Sequence, residues 1–69
     1  MTIPEHYLGF HRAKLELELS ALKGKRNSLL IRIESSEAEG VDVSSEKEQL
    51  TQTDEAIARI EDELRKLVP

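Results

Sequence analysis

The chain has no cysteine and no tryptophan, one tyrosine, one phenylalanine, two prolines and three glycines. Without cysteine there is no disulfide, and no thiolate to hold a metal, run a redox couple or form a covalent intermediate. No apolar run approaches the roughly 20 residues that a membrane span needs. The opening Met1-Thr2-Ile3-Pro4-Glu5 lacks the basic stretch and apolar centre of a signal peptide, so the expectation is a cytoplasmic protein that does not enter a membrane. There is no glycine-rich phosphate loop and no nucleophile-base arrangement, which argues against an enzyme and against a cofactor.

What the sequence does have is charge: 35% of residues are Asp, Glu, Lys or Arg, with a net charge of -4. That composition, with so few aromatics, suits long surface helices and coiled coils better than a globular enzyme. At 69 residues it allows one domain, 1–69, and a chain this short rarely buries enough apolar surface to be comfortably stable alone. With disulfides excluded, the remaining sources of stability are self-association and docking on a partner.

Punctuation predicts two helices. Pro4 suits a first helical turn, with Thr2 or Ile3 in the flanking cap region, and no proline follows until Pro69. Helix 1 is expected over about 4–38, ending where Ser35-Ser36-Glu37-Ala38-Glu39-Gly40 supplies turn residues and a glycine for a left-handed cap. A loop is expected over about 39–44. Ser45 with Glu48 three positions on forms a capping box for helix 2 at about 45–67, with Asp42 as a competing cap. Arg65 and Lys66 then fall in the last turn, favourable against the helix dipole, and Pro69 marks the stop.

Periodicity agrees with these boundaries. In helix 2, Leu50, Thr53, Ile57, Ile60, Leu64 and Leu67 recur at steps of three and four. In helix 1, Leu8, Leu15, Leu22 and Leu29 recur every seven residues, with Arg12, Leu19, Arg26 and Ile33 filling the alternate seam positions. The alternation Leu15-Glu16-Leu17-Glu18-Leu19 has the period of a strand, but helix-period signals run unbroken on both sides of it. Gly24 is the weak point of helix 1, costing about 1 kcal/mol against alanine, and a place where a kink would fall.

So short a loop folds the helices back antiparallel, giving an all-α two-helix hairpin. Counting outward pairs Ile33 with Leu50, Leu29 with Thr53, Leu22 with Ile60, Leu19 with Leu64 and Leu15 with Leu67. Residues before about Arg12 overhang the end of helix 2. Helix 1 carries a second apolar line, Phe10, Leu17, Gly24, Ile31 and Ala38, widened by Leu30. At about 100° per residue this line lies opposite the leucine seam. One face can be covered by helix 2, but nothing else in the chain can cover the other. The small residues Ala13, Ser20, Ala21, Gly24 and Ser28 near it allow close approach of another helix. The expected oligomer interface is therefore Phe10, Ala13, Leu17, Ala21, Gly24 and Ile31, in a homodimeric four-helix bundle with the first helices at its centre.

Other candidates are weaker. Arg12 and Arg26 could pair with Asp54, Glu61 or Glu63 and fix register, or lay their stems along the seam with their heads in water. Lys23, Lys25, Arg26 and Arg32 could track a nucleic-acid backbone. Helix 2, with eight acids against four bases from position 41 onward, is the better complement for those charges. His6 and His11 are five apart, not at the i, i+4 spacing of a helical metal pair, and no metal is expected. The overhang residues Ile3, Tyr7, Leu8 and Phe10 are the candidates for binding a partner protein, or else they pack on the second copy.

The reading that follows is a non-enzymatic homodimer acting by protein-protein interaction, as an adaptor, a regulator or an inhibitor. Short chains of this kind are common in the compact genomes of mobile elements. One alternative is a nucleic-acid-binding bundle using residues 23–32, which resembles plasmid RNA-binding helical hairpins in outline but shares no motif with them. Another is a secretion-type chaperone whose groove holds a partner's helix.

Overall fold

A computed structural model describes residues 5–67, with side chains from residue 9 onward. The expectations placed on Thr2, Ile3, Pro4 and Pro69, and on the side chains of His6, Tyr7 and Leu8, lie outside the described residues. Two helices, α1 (Glu5–Ala38) and α2 (Ser44–Lys66), form an antiparallel hairpin 56 × 14 × 14 Å in extent. No strand occurs among the described residues, and Leu15–Leu19 lies within α1. α1 runs unbroken through Gly24, since the residues on either side are mostly good helix formers and outweigh one glycine.

α1 ends in a Schellman motif. The Val41 N–H donates to the Ser36 carbonyl at 2.9 Å and the Gly40 N–H to that of Glu37 at 3.0 Å. Gly40 takes φ 76°, a left-handed conformation that a side chain disfavours. A Cβ there would meet nothing within 4 Å, so the cost of replacement lies in the backbone and not in a clash. Gly40→Ala is expected to lower stability by about 1 kcal/mol, read by urea denaturation.

The start of α2 departs from the Ser45–Glu48 capping box. Val43 is the N-cap residue and makes no side-chain cap bond. Instead the Asp42 carboxylate accepts from the Ser44 hydroxyl at 2.6 Å and from the Ser44 N–H at 3.1 Å. This Asx-type turn starts the helix at Ser44 and leaves Ser45 inside the first turn. The bonds from the Ser44 hydroxyl and amide, helped by the charge of Lys47, hold the Asp42 pKa below its ordinary 3.8. A depressed carboxylate pKa adds stability above the ordinary value, and this is lost as pH falls through the folded value. The Ser44 amide resonance is thus expected to be flat from neutrality to about pH 5 and to titrate with a midpoint below 3.8. Asp42→Asn should abolish that step.

The core is a single seam between the helices. Leu15, Leu29, Ile33, Val43, Thr53 and Ile57 are buried, and Leu19, Leu22, Leu50, Ile60, Leu64 and Leu67 are half-buried beside them. Thr53 is tolerated there because its hydroxyl donates to the Gln49 carbonyl one turn back, at 2.8 Å. Polar contacts across the hairpin mark the register. Glu37 meets Lys47 at 3.7 Å near the loop, Arg26 meets Asp54 at 2.9 Å, and Lys23 reaches Glu61 at 4.0 Å. Near the open end Arg12 donates from Nη2 to the Leu67 carbonyl at 3.3 Å, the last turn of α2, where a positive charge offsets the helix dipole.

Candidate interaction surface

Because the leucine seam of α1 is taken up by α2, the line half a turn away points outward. Phe10 is 74% exposed, Leu17 73% and Ile31 69%, with Leu30 also open beside them. Ala13, Ala21 and Gly24 of the same face are exposed too. A side chain on Gly24 would project into open space. Between Phe10 and Leu17 lies a shallow groove of about 270 Å³, floored by Ala13 and edged by the stem of Lys14. The face thus carries large apolar side chains about two turns to either side of Gly24, at Leu17 and Ile31, and about four turns before it, at Phe10, with the small or polar residues Ser20, Ala21, Asn27 and Ser28 between. Scattered exposed leucines are ordinary on a protein surface, whereas three large apolar side chains, Phe10, Leu17 and Ile31, aligned on one helix face around a glycine are less so.

The other candidates separate clearly. Two members of the basic stretch turn toward α2: Arg26 to Asp54 and Lys23 to Glu61. All four side chains are about half exposed, so each pair contributes at most about 1 kcal/mol. Lys25 and Arg32 are exposed and have no ion pair among the described residues. Arg12 bonds a backbone carbonyl of α2 and not a carboxylate. It also lines a second groove, of about 390 Å³, with Glu16, Leu19, Glu61, Leu64 and Arg65, near the open end of the hairpin. That groove alternates acid and base over two leucines, and it holds no nucleophile. Among the described residues no three His, Asp or Glu side chains converge as metal ligands. Of the overhang's partner-binding candidates, Phe10 has a described side chain, and it projects into solvent. The partner-binding candidates Tyr7 and Leu8 cannot be placed with it because their side chains fall outside the described residues.

No family model, characterised protein or solved structure matches this chain. Its function is thus argued from its own surface. One buried residue escaped the sequence reading. Val43 is buried just ahead of α2, and the signal was present, since Val43, Leu50, Ile57 and Leu64 are spaced by seven. Starting helix 2 at Ser45 cut the first member from the series. Glu46 is a second surprise: in the first turn of α2 it is half-buried, with one carboxylate oxygen shut off from solvent and lacking a hydrogen-bond partner. Its charge is favourably placed against the positive end of the α2 dipole.

Proposed function

We propose that this chain is a non-enzymatic helical module that self-associates through the back of α1 and acts by binding another protein, as an adaptor, a regulator or an inhibitor. The observation that carries this reading is the exposed line Phe10, Leu17 and Ile31. Each large apolar side chain gains about 1.5 to 3 kcal/mol when it leaves water, and among the described residues no further element covers them. The two first helices would stand at the centre of a four-helix homodimer. The partner-binding end would be the overhang beyond α2, with Tyr7 and Leu8 as its candidates, while Phe10 serves the self-association face.

A nucleic-acid reading draws less support, because two of its four basic residues already face carboxylates of α2. The experiment is affinity capture from the native cell with the intact chain beside a variant carrying Tyr7→Ala and Leu8→Ala, which leaves the self-association face untouched. Partners held by the intact chain should be lost from the variant. Equal recovery by both would remove the overhang from the account, and capture dominated by nucleic acid that weakens steeply with salt would overturn the protein-binding reading.

A further inference from the structure

We propose that the back of α1 docks on the same face of a second copy, with the two α1 helices antiparallel and crossing at Gly24. This rests on the self-association reading above and gives it a geometry. The elongated hairpin has surface to spare for a stable interface. The hairpin exposes 5582 Å², whereas a compact monomer of its mass exposes about 4,400 Å². The excess of about 1,200 Å² exceeds the roughly 800 Å² that each partner buries in an ordinary stable interface.

The face is also complementary to itself, which a surface shaped for a foreign partner has no reason to be. Leu17 and Ile31 lie seven positions to either side of Gly24, Ser20 and Ser28 four positions, and Phe10 and Ala38 fourteen. An antiparallel pair with its two-fold axis at Gly24 sets each of these opposite its counterpart in the other copy. Leucine then meets isoleucine, serine meets serine, and the bulky phenylalanine meets alanine. A parallel pair instead sets Phe10 on Phe10 and Ala38 on Ala38, a wedge wide at one end and hollow at the other. At the crossing itself Gly24 presents no side chain, and the space above it is open, so the two backbones approach most closely there. Since the α2-covered seam and this face lie on opposite sides of α1, the four helices stand in a row with α2 outermost. They do not close round one shared core.

The absence of cysteine makes the arrangement directly readable. Ser20 and Ser28 are both exposed in the hairpin, so Ser20→Cys and Ser28→Cys leave the seam intact, which circular dichroism confirms before use. In the antiparallel pair, position 20 of one copy faces position 28 of the other. Each position lies about 12 Å along the axis from its own counterpart, at about 1.5 Å per residue. Mild oxidation of an equimolar mixture, after subunit exchange, should give disulfide-linked dimer at least tenfold above either variant alone. Efficient linkage of each variant to itself would mean a parallel pair and overturn the proposal, as would no linkage in the mixture. Light scattering on the same samples separates the two failures. A dimer with the wrong linkage sinks only this geometry, whereas a monomer sinks the self-association reading as well.

Discussion

Leu17→Glu combined with Ile31→Glu is expected to split the dimer into separate chains. In the hairpin both side chains are largely in solvent, so the substitutions touch no contact of the α1–α2 seam. In a symmetric interface each change occurs twice, placing four carboxylates where four large aliphatic groups were buried. Loss of about 1.5 kcal/mol or more for each of four side chains, about 6 kcal/mol in all, predicts at least about a 10,000-fold rise in the dissociation constant, before any cost of burying charge. Sedimentation velocity across a concentration series measures this. Lys25→Glu, on the flank of the same helix, is the matched control for added negative charge and should leave the mass unchanged.

Leu29→Ala should produce the largest loss of fold stability. Leu29 is 4% exposed, within the same seam as Thr53 and Ile57 of α2. Truncating a buried leucine costs about 2 to 5 kcal/mol, since the vacated space is only partly refilled. A hairpin of this size holds only about 3 to 5 kcal/mol in its core, so with the dimer split by Leu17→Glu and Ile31→Glu the variant is expected to lose most of its helical signal at room temperature. Leu30→Ala, one position on, removes the same atoms from a side chain that is 42% exposed. Its effect on urea unfolding should stay below about 1 kcal/mol in the same background.

The fold was legible in the sequence because two signals agree. Helix punctuation placed a break at Gly40, and the seven-residue leucine repeat told which face of each segment the other would cover. Both rest on local chemistry: glycine's tolerance of positive φ, and the match between side-chain spacing and helical rotation. The start of α2 was harder to read, because Asp42 and Ser45 are both competent to organise a helix start. Which one does so depends on where the chain leaves the turn, and here the burial of Val43 brings the Asp42 carboxylate to Ser44. Of the two readings of Arg12, the carboxylate partner is the one not seen, for a similar reason. An arginine opposite an acidic helix suggests a carboxylate partner, but at the end of α2 free backbone carbonyls compete for the same donor. The outward line of α1 was readable by rotation alone, whereas what covers it depends on a second molecule, which no spacing within one chain specifies.

The account depends on α1 carrying apolar surface on two opposite faces when its own chain supplies a cover for one. Multi-angle light scattering of the purified chain, followed by dilution from high to low micromolar concentration, addresses this directly. The mass of two chains, retained on dilution with full helicity, is the expected result. A single-chain mass at every concentration, with helicity undiminished, would contradict it.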